Sequence, residues 1–266
     1  MNNAIVIGQY VPGNSLIHRL DPRMKITIIF FFVIVVFFAN NIISYSILTI
    51  FAILTTLSTR ISLRFILKGL TPVWFLIAFT FILHLIVTKE GTVLFDVFGY
   101  KVYSGALIQG FAISLRFFLL ILITSLLTLT TTPIEITDAV EDLLHPLKKI
   151  KFPVHELALM MSISLRFIPT LLQETDKISK AQASRGVDFR TGPIKERLHA
   201  IVPLLVPLFV SAFKRAEELA MAMEARGYQG GEGRTRLRQL KIKGLDILVF
   251  LFFLAVVAAL FWTRNY

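Results

Sequence analysis

The chain has 266 residues, 55% of them hydrophobic, with 24 Phe and a mean hydropathy of +0.72. A packed soluble core needs only about half apolar residues, so this excess points to a bilayer as part of the solvent. Cysteine is absent, which excludes a disulfide framework, a thiolate metal site and a cysteine nucleophile. The net charge of +11 reads as membrane orientation rather than nucleic-acid binding, because no basic tract interleaved with aromatics lies on a soluble segment.

In chain order, the first twenty residues carry no apolar run of signal-peptide type, so no cleaved leader is expected. A spanning helix takes about 20 mostly apolar residues. Stretches 26–43, 42–57, 72–87, 105–131 and 245–262 are the candidates, giving about five spans, the first two a tight hairpin around Asn40-Asn41. Arg19, Arg23, Lys25, Arg60, Arg64 and Lys68 fall on one side of these spans. Most of the 28 Lys and Arg lie in segment 132–243, on that same side, and only Lys89, Lys101 and Arg264 on the other. The N-terminus is therefore expected in the cytoplasm and the C-terminus outside.

Segment 132–243 divides the chain into three parts: spans one to four within 1–131, a charged region at 132–243, and a last span within 244–266. Its most apolar runs, 157–168 and 201–213, are each about a dozen residues, too short to cross a bilayer. They suggest helices lying beneath the bundle; a pair of distorted spans is the other reading. Thr132-Pro133-Ile134-Glu135 has capping-box spacing with Pro at the first helical position. Ile136, Val140, Leu143, Leu144 and Leu147 recur on one face of the helix that follows, and Pro146 ends or kinks it. Asp138, Glu141, Asp142 and Glu156 read as a solvated face. The next helix begins at Phe152-Pro153, has a kink expected at Pro169, and runs toward Arg185-Gly186. The last follows Thr191-Gly192-Pro193 and runs through Pro203 and Pro207 toward Arg226-Gly227.

The two ends form a weak repeat: "KAQASRG" (180–186) aligns with "MAMEARG" (221–227), Arg185 on Arg226. Glycine after a helix accepts the left-handed conformation and arginine in the last turn complements the dipole, which explains each site by itself. As a pair they admit a second reading. Small residues (Ala181, Ala183, Ser184; Ala222, Ala225) leave slim tips, and each arginine offers a rigid donor fork for a carboxylate on another chain. Two similar tips would suit two similar subunits. The glycine-rich loop after Arg226 lacks Walker spacing and follows a helix rather than opening one, so any energy from ATP must come from a partner.

On these residues the chain resembles the transmembrane T component (EcfT) of energy-coupling factor transporters, a class of ABC importers for vitamins and transition metals. The resemblance is carried by "GQYVPGNSLIHRLDPRMKI" (8–26), with Asp21-Pro22-Arg23 and Lys25, and by two motifs that the family writes Ala-Arg-Gly. Ala225-Arg226-Gly227 matches the second fully, and Ser184-Arg185-Gly186 departs from the first by one hydroxyl. The resemblance implies an all-α, L-shaped polytopic membrane protein with long cytoplasmic coupling helices. It implies no catalysis and no cofactor of its own, ATP and Mg being bound by partner ATPases. Arg185 and Arg226, with Ser184, Gly186, Ala225 and Gly227, would dock on two ATPase subunits (EcfA and EcfA'). Leu157, Met160, Met161, Leu204, Leu205 and Leu208 would contact a substrate-binding S component, or fill the protein's own core. Leu159, Ile163 and Phe209 join that set.

Other features weigh less. Arg116, near the middle of the fourth span, marks a paired site or snorkels to the surface. Ser-Leu-Arg-Phe recurs at 62–65, 114–117 and 164–167, by coincidence or as interfacial anchoring through Arg64 and Arg166. His84, His145, His155 and His199 are too scattered for a metal site. An intramembrane enzyme would need paired carboxylates or a His–Glu set on spans, and none is present. A stand-alone carrier is the remaining alternative, and the transported vitamin or metal cannot be read from this chain.

Overall fold

In the computed structural model, residues 10–97, 100–186, 194–230 and 240–264 are described. The chain divides into two compact units, Met1–Ala139 with Leu240–Tyr266, and Val140–Gln239.

Ser15 opens the first unit by capping α1 (Leu16–Arg19), accepting the His18 amide, and Asp21 caps α2 (Pro22–Val36) by accepting the Arg23 amide. Pro22 fits the first turn because its missing N–H has no partner to lose there. The helix stops at Val36, short of the expected 26–43, although Phe37, Phe38 and Ala39 continue the apolar run. Helix α3 (Ile42–Ser58) then returns. Its Ser46, Thr49, Thr55, Thr56 and Ser58 hydroxyls each donate to the carbonyl four residues back. These five hydroxyls thus sit in an apolar helix with their donors met, whereas the buried Ser44 hydroxyl of the same helix has no partner among the described residues. Arg60 takes the left-handed conformation (φ 56°), and α4 (Leu63–Gly69) departs at 114° to α3.

Helix α5 (Thr71–Val87) packs on α6 (Ser104–Thr130), where Gly110 leaves room for Phe81 and His84; a β-carbon there would lie 3.2 Å from the Phe81 ring. No α5 residue is fully buried, and Phe75 is 78% exposed. Between them, β1 (Val93–Val97) pairs antiparallel with β2 (Tyr100–Tyr103), a small addition to an otherwise helical chain. Helix α10 (Gly244–Arg264) closes the unit. Phe32, Val36, Leu48, Phe51, Leu119, Phe253 and Leu260 form the core where α2, α3, α6 and α10 meet. Phe51 stacks on Phe32 and on Phe252, with ring planes 28° apart in each pair.

The second unit begins within α7 (Pro133–Leu144). The capping box forms as expected: Thr132 N donates to Glu135 Oε2 at 3.1 Å and Glu135 N to Thr132 Oγ1 at 3.3 Å. The buried positions on α7 are Thr137 and Ala139; Leu143 is exposed. A 3₁₀ turn, His145–Ile150, takes over where Pro146 forbids the α-helix to continue. Glu141 leaves the solvated face proposed for it and meets His155 Nδ1 at 3.3 Å.

The two apolar runs belong to much longer helices, α8 (Val154–Ser184, 31 residues) and α9 (Ile194–Ala225, 32 residues). Helix α8 continues through Pro169 without ending there. Residues 191–193, expected to start α9, lie outside the described residues. Pro207 has no N–H for the Pro203 carbonyl, and Gln182 of α8 supplies one, Nε2 to O at 3.3 Å. Glu174 fastens the pair further along: Ser211 Oγ and Arg215 Nη2 both donate to its carboxylate at 2.8 Å. These bonds pair late α8 with early α9, so the two helices form an antiparallel hairpin.

Among the described residues, α6, α8 and α10 are long and apolar enough to cross a membrane, and the bent α3–α4 pair counts as a fourth. Helices α2 and α5, at 15 and 17 residues, fall short of the length expected of them as spans. Helix α8 has both the length and an apolar stretch sufficient to cross, although its second half carries Glu174, Asp176, Lys177 and Lys180.

Candidate functional site

Each Arg-Gly end is built by its own last turn. Gly227 (φ 71°) and Gly186 (φ 88°) both adopt the left-handed conformation. Among the described residues, no atom beyond the immediate chain neighbours and the helix's own backbone lies within 4 Å of a β-carbon placed on either. Glycine is therefore required by backbone conformation rather than by crowding. At the α9 end, Tyr228 N donates to Met223 O at 3.0 Å and Gly227 N to Glu224 O at 2.9 Å, the two bonds of a Schellman cap. At the α8 end, Gly186 N donates to Ala183 O at 3.0 Å in the same way. Ser184, the departure from Ala-Arg-Gly, turns its hydroxyl back to Lys180 O at 3.1 Å and leaves the tip slim. Residues 187–190 and 231–233 of the flanking loops lie outside the described residues.

Arg185 and Arg226 are both exposed, and neither guanidinium has a hydrogen-bond or ion-pair partner among the described residues. Because the hairpin is antiparallel, they sit at opposite ends of it. A helix of this length spans about 45 Å at 1.5 Å per residue, so the two tips are that far apart in order of magnitude.

The expected contact residues for an S component divide. Met160, Met161, Leu205 and Phe209 are exposed, and Leu157, Leu159, Ile163, Leu204 and Leu208 are half-buried. The exposed members continue into Ile168, Leu172, Val206, Val210 and Phe213, leaving apolar surface on both helices.

The amino-terminal signature has a local explanation in the first unit. Lys25, 5% exposed, donates to Thr130 O and Thr131 Oγ1, both at 3.1 Å. Thr130 O is among the carbonyls that the end of α6 leaves unpaired, and an ammonium there also meets the negative end of the helix dipole. Asp246, 1% exposed, accepts the Asp21 amide at 2.7 Å and the Lys243 amide at 2.6 Å. Arg23 binds the Asp21 carboxylate through Nε and Nη2. Burial pushes the Asp21 carboxyl up, but the Arg23 hydrogen bonds and charge outweigh it and hold the group below its ordinary value. Glu135 of α7 also acts on Lys25 through its charge. Asp21, Lys25, Thr131, Glu135 and Asp246 thus tie the starts of α2, α7 and α10 to the end of α6.

Arg116 is a paired site. Its Nη2 donates to Ala39 O at 3.2 Å and Tyr45 Oη at 2.8 Å, and the guanidinium lies 5.4 Å from the Phe37 ring centre. It fills the α2–α3 turn and explains why α2 can end inside an apolar run.

These features define an all-α polytopic membrane protein with a bundle of apolar helices and an amphipathic hairpin. Residues 13–237 match the family described as Cobalt transport protein, CbiQ. The chain is 62% identical over 264 residues to the "Energy-coupling factor transporter transmembrane protein EcfT" of Bacillus subtilis, covering 99% of this chain and 100% of the relative. Proteins of the same name from Exiguobacterium sibiricum (53% identical, 98% and 99% covered) and Listeria innocua (49%, 100% and 100%) are similar over comparable lengths. The chain belongs to this family of energy-coupling factor transporter transmembrane proteins.

Proposed function

We propose that this chain is the energy-coupling subunit of an ATP-driven importer for vitamins or other micronutrients. Its N-terminus is cytoplasmic, its C-terminus external, and the α8–α9 hairpin lies on the cytoplasmic side. Two ABC-type ATPase subunits bind ATP and Mg and dock on the Arg185 and Arg226 ends. Their movement shifts the hairpin, and a substrate-binding S component seated on the apolar surface of Met160, Met161 and Leu205 reorients with it. Leu157, Leu204 and Leu208 support that surface from within the hairpin. The chain itself performs no hydrolysis.

One observation carries this reading: two arginines without a partner among the described residues, each ahead of a left-handed glycine, stand at opposite ends of one hairpin. Such tips fit two separate acidic grooves, and a rod braced at both ends transmits displacement. In the reconstituted complex, Arg185→Glu and Arg226→Glu should each loosen ATPase association by about 2–5 kcal/mol, and the double reversal should release both subunits. Full retention of both ATPases by the double variant refutes docking at these ends. Liposomes holding this chain alone should show no uptake, and uptake there would favour a stand-alone carrier.

A further inference from the structure

We propose that Arg166 and Arg226 work as a pair, two prongs of one cleft that receives a paired-carboxylate surface of an ATPase subunit. The proposal rests on the docking reading above and adds a residue that the Arg-Gly motif does not contain.

The antiparallel hairpin places the first half of α8 beside the end of α9. There a cleft of about 570 Å³ is lined by Arg166, Arg226, Leu159, Ile163, Met223 and the Gly227–Gly230 loop. Neither arginine has a hydrogen-bond or ion-pair partner among the described residues. Elsewhere in the same hairpin Arg215 is matched to Glu174 at 2.8 Å, so an internal cation does receive its counter-charge. Two guanidiniums facing one cleft repel each other until an anion enters. A single carboxylate satisfies one planar fork, and two forks call for two carboxylates, as on an acidic turn or helix face.

The walls separate protein from a free anion. Leu159, Ile163 and Met223 give the cleft an apolar side, which suits a folded surface with an apolar rim and adds nothing for inorganic phosphate. The cleft is also continuous with the Arg226 tip, where the docking reading puts the ATPase.

The test uses the full complex, purified in nanodiscs, with ATPase retention measured against salt. Arg166→Glu should weaken ATPase association roughly ten- to hundredfold. Combined with Arg226→Glu, its effect should fall below the product of the two, because both prongs engage one surface. Combined with Arg185→Glu, at the other end of the hairpin, the effects should multiply. Arg166→Gln, with helix content and S-component retention unchanged, should reduce the salt sensitivity of the association and guards against misfolding of the reversal.

If Arg166→Glu stays within twofold while Arg226→Glu releases ATPase, the pairing is wrong and the docking reading stands. If neither variant has an effect, the docking reading fails and takes the pairing with it. An Arg166 effect confined to phosphatidylglycerol nanodiscs, and absent in phosphatidylcholine, assigns the cleft to lipid and overturns the proposal.

Discussion

Gly227 and Gly186 directly follow Arg226 and Arg185, and both have a positive φ. A left-handed residue bearing a β-carbon costs about 1–2 kcal/mol. Gly227→Ala should therefore loosen the last turn of α9, and hydrogen exchange at the Gly227 and Tyr228 amides should quicken about tenfold. Gly244→Ala is the matched control: that glycine also has open space around it but no positive φ, and its exchange should not change. Equal effects at the two sites would mean that conformation is not what selects glycine here. Arg116 gives the opposite lesson about single residues. Its charge in an apolar run was legible as a paired site or a snorkelling one, but its partners, Ala39 O and Tyr45 Oη, lie far away in sequence and no local pattern names them.

Elements were legible where the signal is local. The Thr132–Glu135 box, the Pro146 stop and both Arg-Gly ends follow from side chains within a few residues of the backbone they serve. Lengths were not. The runs 157–168 and 201–213 measured an apolar face, and a helix continues past such a face wherever backbone bonds continue. In α8 and α9 the continuation is fixed by Gln182 on Pro203 and by Glu174 on Ser211 and Arg215, which only the hairpin brings together. Arg166 reads in the sequence as part of a chance repeat or as an interfacial anchor for the same reason: Arg226, which lines the same cleft, arrives from the other helix. The hairpin's own fastening has a pH signature. The Ser211 hydrogen bond, aided by Arg215, holds the Glu174 carboxyl below its ordinary 4.5, against the effect of burial. A lowered carboxyl contributes its stabilisation fully above that value and loses it as pH falls through the folded pKa. The chain has no cysteine, so spin labels can be placed by Lys177→Cys and Lys214→Cys alone. The label–label distance distribution should be narrow at neutral pH and broaden as the pH falls below the ordinary carboxyl range. In Glu174→Gln it should be equally broad at both, and a distribution indifferent to pH in the unaltered chain would remove Glu174 from this role.

At the scale of the whole molecule, the two units share one helix: Pro133–Ala139 of α7 belong to the bundle and Val140–Leu144 to the hairpin unit. Any displacement of the hairpin that reaches the bundle along the chain must pass through α7, or through the segment leading to α10. The same buried cluster holds the chain at each of these two crossings. Lys25 grips Thr130 and Thr131 just ahead of α7, and Asp246 grips Asp21 and Lys243 at the start of α10. Removing the ammonium leaves the Thr130 carbonyl and the Thr131 hydroxyl without that donor, a loss of about 1–3 kcal/mol for buried hydrogen bonds from a charged group. Lys25 touches neither Arg-Gly end, so Lys25→Met should leave ATPase retention and ATP hydrolysis by the complex unchanged. With the mount softened, hairpin movement is absorbed in α7 instead of moving the bundle, and substrate uptake per ATP hydrolysed should fall about tenfold. Asp246→Asn removes the charge and keeps an acceptor for only one of the two amides, which bond different carboxylate oxygens. It too should lower uptake per ATP, and combining it with Lys25→Met should add little because both act on one cluster. Uptake and hydrolysis falling in parallel in Lys25→Met would show that the cluster only stabilises the fold, and that force reaches the bundle elsewhere.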